Sequence, residues 1–313
     1  MKPALLVAGH GTRDPAGVAA FTALTRRVAA EAGRRGVDVA GGFIELSAPA
    51  VRDAVAGLVS RGHKSVVAVP LMLSAAGHSK GDVPAALVRE TGRHPGLSWR
   101  YGRPLGPHPV LLQLLAERIA AARGGMTHPA AVLVVGRGST DPDGNADVCK
   151  AARLLWEGRD YEFTETAFVS LARPGVAEGL ERCRRLGARR IVVARYFLFP
   201  GVLPDRVTEQ AAEYANAHPG LEIRCTDVLG DCAEIAALVA ERYREALAGD
   251  IRMNCDMCVY RTALPGFEHR VGAPQQPHEH PHDHVHGRGH DLPLTRADAG
   301  HPDAEARSGR PAS

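Results

Sequence analysis

The feature that most limits what this chain can fold into is an internal duplication. Three stretches of the first half recur in the same order about 125 residues later. They are residues 9–15 (GHGTRDP) and 136–142 (GRGSTDP), residues 43–49 (FIELSAP) and 168–174 (FVSLARP), and residues 94–97 and 218–221 (both HPGL). A duplicated chain of this length predicts two similar domains, at 1–124 and 128–250, and a separate C-terminal segment at 251–313.

Each half has the pattern of an alternating α/β protein. In the first half, short apolar runs typical of buried parallel strands alternate with amphipathic stretches. Strands are predicted at 4–8, 42–46, 66–69 and 98–101, and later helices at 50–60, 83–91 and 109–122. In the helix after the first strand, Phe21, Leu24 and Val28 share one face, and Gly33 is placed to end it. The alternation predicts two doubly wound parallel sheets with a cleft between the carboxyl ends of their strands, where such folds bind ligands.

Composition and charge exclude several classes of protein. The chain is 45% apolar but only 5% aromatic, which suits the packing of helices on a sheet through small residues. A formal net charge of +3, without a basic stripe, argues against a nucleic-acid partner. We find neither a membrane span nor a signal-peptide pattern, so we expect a cytoplasmic protein whose six cysteines are reduced. Arginines outnumber lysines, which leaves a polyanionic small molecule open as a ligand.

The two copies differ in chemical type at three positions. They are His10 against Arg137, Glu45 against Ser170, and His78 against Val202. Only the first half therefore has two imidazoles and a carboxylate, each near the carboxyl end of a predicted strand. Because the carboxyl ends of parallel strands meet at one edge of a sheet, we expect the three side chains to converge.

Two imidazoles and one carboxylate are a common site for a divalent first-row metal that leaves positions open for a substrate. Imidazole also takes up protons near neutral pH, so this group suits metal insertion into a macrocycle that must lose two N–H protons. Each residue alone has a simpler interpretation, as a loop or capping histidine or as an ion-paired carboxylate. The Gly9-His10-Gly11 turn could instead cradle a phosphate, but Asp14 stands where the dinucleotide fingerprint has its third glycine.

At these positions the sequence resembles the class II chelatases, the family of sirohydrochlorin cobaltochelatases and ferrochelatases. The likeness covers residues 1 to about 265 and rests on four stretches. They are 5–11 (LLVAGHG), 43–46 (FIEL), 70–78 (PLMLSAAGH) and 196–201 (YFLFPG). The resemblance implies a two-lobed fold that holds a carboxylate-rich tetrapyrrole in its cleft. It also implies that His10 and His78 bind the metal and accept the pyrrole protons, with Glu45 as a further metal contact.

The resemblance implies a lyase-class enzyme. We expect a cobaltochelatase that inserts cobalt(II) into sirohydrochlorin, or its methylated form, in cobalamin biosynthesis. A ferrochelatase for siroheme is the alternative within this chemistry, and a metal-storage protein or metallochaperone is the alternative of another class. Candidates for binding the tetrapyrrole carboxylates, each of which could also be a solvated surface charge, are Arg137, Lys80, Arg195 and Arg206. No nucleotide or organic cofactor is expected, and a homo-oligomer is left open.

The C-terminal segment contains two further candidate metal sites. Cys255 and Cys258 lie in a Met-x-Cys-x-x-Cys motif that resembles the one in long cobaltochelatases, where it implies an iron–sulfur cluster. A cluster usually takes four ligands, so a second subunit, Cys225 and Cys232, or non-protein ligands would complete it; a plain dithiol or half of a zinc site are the alternatives. Histidines then recur in a stretch too polar to build a core, which predicts loose transition-metal binding and disorder beyond Gly272. They are His278, His280, His282, His284, His286 and His290.

Overall fold

A computed structural model describes residues 1–126, 128–249 and 268–272. The first half contains β1 (Ala4–Gly9), α1 (Pro15–Gly33), β2 (Val39–Phe43), α2 (Val51–Ser60), β3 (Ser65–Pro70), a π-helical turn (His78–Asp82), α3 (Val83–Arg93), β4 (Ser98–Tyr101) and α4 (Pro109–Arg123). The second half contains β5 (Ala131–Gly136), α5 (Pro142–Trp156), β6 (Thr164–Phe168), α6 (Val176–Arg185), β7 (Arg190–Arg195), α7 (Val202–Ala217), β8 (Glu222–Cys225) and α8 (Ala233–Ala248). A short 3-10 turn, Glu268–Arg270, follows.

The strands form two parallel sheets of four strands each, in the order β2-β1-β3-β4 and β6-β5-β7-β8. Every residue of β1 and of β5 is buried, as expected for the inner strands of sheets covered by helices on both faces. The α/β fold class and the duplication are thereby confirmed. No helix in the described ranges has the length and apolarity that crossing a membrane requires.

The two halves exchange their last helices. Helix α4 of the first half packs on β7 and β8, and helix α8 of the second half packs on β3 and β4. One hydrophobic core accordingly includes Leu24 of α1, Leu115 of α4, Val148 of α5 and Val239 of α8. The boundary at 124 to 128 separates the repeats along the chain, while the exchange joins both sheets through one shared layer of helices.

The first loop of each half follows the same local rules. The side chains of Asp14 and Asp141 cap the N-termini of α1 and α5, and a proline occupies the first turn of each helix. Gly11 and Gly138 have φ of 110° and 87°. A Cβ on either glycine would lie 1.8 Å from the carbonyl oxygen of residue 45 or 170, so only glycine lets these loops pack together.

Two local features differ from the sequence prediction. Strand β2 spans Val39–Phe43 rather than 42–46. Residues Ile44 and Glu45 still donate backbone hydrogen bonds to Gly9 and His10, but the chain then turns away at Leu46. The second difference is the π-helical turn, which the apolar periodicity did not reveal because it is short and partly polar.

Candidate active site

Three potential metal ligands converge at the carboxyl edge of the first sheet. The Nε2 atom of His10 lies 2.9 Å from His78 Nε2 and 3.0 Å from Glu45 Oε1. The three ligand atoms lie within 4.8 Å of one another, and no other such group of His, Cys, Asp or Glu was found among the described residues. The structure therefore brings together the three residues that were singled out because the second half has a different chemical type at each matching position.

Each ligand is placed by a different element. His10 directly follows β1, and its Nδ1–H donates to the Gly11 carbonyl over 3.0 Å when that nitrogen is protonated, which directs Nε2 toward the group. Glu45 comes two residues after β2, where the packing of its carbonyl on Gly11 fixes the loop. His78 opens the π-helical turn beyond β3. Since β1 is hydrogen-bonded to both β2 and β3, the three loops are neighbours.

His10 is electrically neutral at physiological pH. Burial lowers its pKa from 6.5 to about 4, and the charges of His78 and Arg137 act in the same direction. A neutral imidazole keeps the lone pair that a metal needs, because protonation and coordination compete for the same nitrogen. The surroundings of His10 thus favour the neutral imidazole, which can bind a metal, over the protonated form, which cannot.

An acidic residue that was not predicted from the sequence contacts His78. Asp82 lies one turn along the π-helix, and its Oδ2 is 2.6 Å from His78 Nδ1. A carboxylate on the second ring nitrogen fixes the tautomer and orientation of a metal-binding histidine. The four-residue spacing between histidine and aspartate was the available signal, but it is informative only once the segment is known to be helical.

Lys80, on the same turn, is held by the second half of the chain. Its Nζ lies 3.0 Å from Asp141 Oδ2 and 2.5 Å from Asp143 Oδ2, and only 7% of the Lys80 side chain is exposed. Burial lowers the pKa of Lys80, but the hydrogen bonds to Asp143 and Asp141 outweigh it and raise the pKa above its usual value. The expectation that Lys80 binds substrate carboxylates is disfavoured, because its charge is already neutralised by two buried acids.

A cavity of about 850 Å³ is lined by both halves, and His10 and His78 lie on its wall. Basic residues on its wall are Arg13, Arg137 and Arg270. Apolar residues on its wall include Phe21, Phe43, Leu46, Leu71, Leu171, Leu198 and Phe199. An apolar cleft with a few convergent charges suits a flat organic ligand with anionic substituents.

Two of the basic residues predicted to bind substrate lie elsewhere. The guanidinium of Arg195 donates to the Thr226 carbonyl and to the Thr208 hydroxyl, so it ties β7 to its neighbours. Arg206 is exposed on α7. Neither residue lines the cavity, and of the four predicted basic residues only Arg137 does so.

The cysteine and histidine predictions for the C-terminal segment lie outside the described residues. These are Cys255 and Cys258 and the histidines at 278, 280, 282, 284, 286 and 290. Cys225, at the end of β8, and Cys232, at the start of α8, are described. Burial raises the pKa of both thiols, which disfavours the thiolate form that a metal binds.

Fold and site together define a class: a duplicated parallel α/β protein in which two histidines and a glutamate, the residue types that bind divalent metals, cluster beside a cleft between the halves. The CbiX family model matches residues 4–122 and 131–246. The chain belongs to the CbiX family.

Two curated relatives and one solved structure give the context of this family. Over 267 residues the chain is 38% identical to a sirohydrochlorin cobaltochelatase of Priestia megaterium, covering 84% of this chain and 86% of that protein. It is 26% identical to a sirohydrochlorin ferrochelatase of Bacillus subtilis, covering 79% and 93%. The structure of SirB from Bacillus subtilis with Fe3+ superposes with a TM-score of 0.67 at 26% identity, covering 80% and 97%.

Proposed function

We propose that this protein is a sirohydrochlorin cobaltochelatase, a lyase-class enzyme of cobalamin biosynthesis. The observation that carries the proposal is the convergence of His10, Glu45 and His78, with both histidines on the wall of the interlobe cavity. In the reaction, cobalt(II) enters the macrocycle and forms bonds to its four nitrogens, while two pyrrole N–H bonds break and two protons leave. The substrate is sirohydrochlorin or its methylated form.

Both histidines bind the metal and accept pyrrole protons, but their surroundings differ. His10, neutral because of its burial, presents the metal together with Glu45. His78 contacts the same ion, and the Asp82 carboxylate on its other nitrogen stabilises the imidazolium that forms when it takes a pyrrole proton. As the ion passes into the macrocycle it frees the nitrogens of both histidines, so His78 takes one of the two pyrrole protons and His10 takes the other, and both protons then pass to solvent.

The tetrapyrrole binds in the cavity between the two halves, which are the domains at 1–124 and 128–250. Arg137, which takes the position of His10 in the second half, pairs with a substrate carboxylate, and Arg13 and Arg270 extend this basic wall. The apolar wall contacts the face of the macrocycle. This division explains why the first half carries the metal ligands and the second half contributes a cation at the matching position.

Cobalt is proposed as the substrate metal because the cobaltochelatase relative is the more similar of the two curated proteins described above. Ferrochelation for siroheme is the competing activity at the same site. An iron–sulfur cluster at Cys255 and Cys258, and metal storage in the histidine tract, are further proposals on residues outside the described ranges. A cytoplasmic location and a homo-oligomer likewise stay predictions of the sequence.

One assay tests the proposal. Purified full-length protein is mixed with metal-free sirohydrochlorin and either cobalt(II) or iron(II), and the absorbance of the macrocycle is followed. We expect turnover with cobalt(II) and a loss of roughly 100-fold or more in His10→Ala and in His78→Ala. The control is His218→Ala, since His218 stacks on Tyr214 of α7 and does not line the cavity.

The outcomes separate the alternatives. Faster turnover with iron(II) than with cobalt(II) would favour the ferrochelatase. Absence of turnover with either metal, together with tight metal binding, would identify a storage protein or metallochaperone. Iron and sulfide content after anaerobic purification, in wild type and in the variant with both Cys255 and Cys258 changed to serine, tests the cluster.

A further inference from the structure

Two leucines at matching positions of the halves share an unusual backbone. Leu46 has φ 64° and Leu171 has φ 62°, and within the described ranges no other non-glycine residue has a positive φ. In both cases the amide of the following residue donates to the carbonyl of the preceding residue over 2.7 Å. Each leucine is therefore the centre of a γ-turn with positive φ, a rare and strained conformation.

Both leucines expose their side chains at the cavity. The exposed fraction is 39% for Leu46 and 62% for Leu171, and both line the cavity wall. A leucine contributes to stability mainly when it is buried, so these two side chains add little to the free energy of unfolding. Strained residues with exposed apolar side chains, gathered at one cleft, point to a role in ligand binding.

The second half contains the same turn but lacks the residues proposed to bind the metal. Ser170 stands where the first half has Glu45, and it offers no metal ligand, yet the turn at Leu171 has the same geometry as the turn at Leu46. The turn therefore does not exist only to orient Glu45. Whatever the leucines do is common to both halves, and the cavity that both halves line is the element they share.

The fold requires the turn but not the leucine. The carbonyl before each leucine packs on Gly11 or Gly138, at a point where a Cβ would lie 1.8 Å from the carbonyl oxygen. That contact fixes the backbone of the turn in both halves. Glycine or asparagine adopts a positive φ with less strain than leucine, so the choice of leucine is explained by its side chain.

We propose that Leu46 and Leu171, one from each half, are specificity-determining contacts for the macrocycle of the tetrapyrrole. Their isobutyl groups lie against its conjugated ring system and lose their exposure when it binds, while the arginines of the cavity take its carboxylates. The inference rests on the proposed chelatase function and adds the residues that recognise the ring itself.

The test uses Leu46→Asn and Leu171→Asn in the full chain, with Leu186→Asn as control. Leu186 is also an exposed leucine, at 60%, but it caps α6 with φ −74° and does not line the cavity. Four quantities are measured: the melting temperature, the KM for sirohydrochlorin, the KM for cobalt(II), and the dissociation constant of metal-free sirohydrochlorin by absorbance titration.

The two cavity variants should raise the KM and the dissociation constant for sirohydrochlorin by roughly five- to twentyfold each, with kcat and the KM for cobalt(II) nearly unchanged. Their melting temperatures should stay level or rise, because asparagine relieves the strain of the turn. Leu186→Asn should change none of the four. Leu171→Asn is the decisive variant, because its neighbour Ser170 is not a metal ligand.

Unchanged sirohydrochlorin binding in Leu171→Asn would overturn the inference, as would a drop in melting temperature that Leu171→Gly reproduces, since the leucine would then be structural. If an asparagine variant fails to fold, the glycine variant provides the binding measurement. Wild-type protein that neither binds nor metallates sirohydrochlorin would instead refute the proposed function, so the two failures are distinguishable.

Discussion

Lys80 of the first half and Asp143 of the second half form an ion pair of 2.5 Å between the π-helical turn and the start of α5. Asp141 adds a second carboxylate at 3.0 Å from the same ammonium. The turn that holds Lys80 also holds His78 and Asp82, so acids of the second half hold in place the turn that carries His78, one of the proposed metal ligands. Both halves thus contribute to the site, even though the proposed metal ligands all come from the first half.

Replacing Lys80 by methionine should destabilise the protein by about 3–5 kcal/mol, because two buried carboxylates lose their counter-charge. Urea unfolding, followed by far-ultraviolet circular dichroism, measures this loss. The control is Lys64→Met, since Lys64 is exposed and should change stability by less than about 0.5 kcal/mol. Adding Asp141→Asn and Asp143→Asn to Lys80→Met should recover part of the loss; a triple variant as unstable as the single one would contradict the ion-pair explanation.

Asp82→Asn should weaken metal handling without unfolding the protein. An amide removes the negative charge on His78 Nδ1 and allows the imidazole to adopt the wrong tautomer, and loss of such a partner typically costs about 10–100-fold in metal affinity or activity. The KM for cobalt(II) in the insertion assay should rise by that factor. Asp227→Asn is the comparison, since the Asp227 side chain is 90% exposed; equal effects in both variants would rule out a specific role for Asp82.

The low pKa of His10 predicts a stability that falls on acidification. In the unfolded chain His10 takes a proton near pH 6.5, whereas in the folded protein its pKa is about 4. Between these values the unfolded state binds more protons, so the free energy of unfolding decreases as the pH falls through this window and levels off below it. At pH 5 this group alone lowers stability by about 2 kcal/mol relative to pH 7.5.

His10→Asn isolates that contribution, since asparagine does not titrate. With metal removed by a chelator, the variant should lose about 2 kcal/mol less than wild type between pH 7.5 and pH 5 in urea unfolding. His218→Asn, a substitution away from the cavity, should retain the acid-induced loss of the wild type. Parallel pH profiles for wild type and His10→Asn would show that burial does not depress the pKa of His10.

Much of the fold follows from local sequence rules. Short sequence patterns predict the duplication and the buried strands, and they account for the helix caps at Asp14 and Asp141. Strand β4 forms at the predicted residues 98–101. The exchange of α4 and α8 was not foreseeable in this way, because the apolar face of a helix does not say which sheet it covers. The end of β2 was missed because the break at Leu46 depends on the packing of Gly11 rather than on periodicity.

The site was predictable where the two copies disagree and not elsewhere. His10, Glu45 and His78 were found because the second half lacks them, and the structure brings them together. The ion pairs of Lys80 could not be predicted, because its partners, Asp141 and Asp143, lie more than sixty residues away in the chain. An ion pair between residues far apart in the chain produces no recognisable pattern in the local sequence. A lysine close to a predicted site is therefore easily interpreted as a ligand for an anionic substrate.

Truncation after Gly272 tests whether the C-terminal histidines take part in chemistry or only in metal supply. The cavity is lined by residues between Gly9 and Pro204 and by Arg270, all of which the truncated chain retains. At saturating cobalt(II) its kcat should therefore match that of the full chain. At limiting cobalt(II), with a competing chelator, the truncated protein should be slower, because interrupted histidines bind transition metals loosely and raise their local concentration.

A full-length variant with the six tract histidines changed to serine separates the histidines from the length of the segment. It should behave as the truncated protein does, with an unchanged kcat and a higher KM for cobalt(II). A collapse of kcat at saturating metal in either protein would mean that the segment contributes groups to the reaction itself. The convergence of His10, Glu45 and His78 would then describe only part of the active site, because the remaining ligands would come from beyond Gly272.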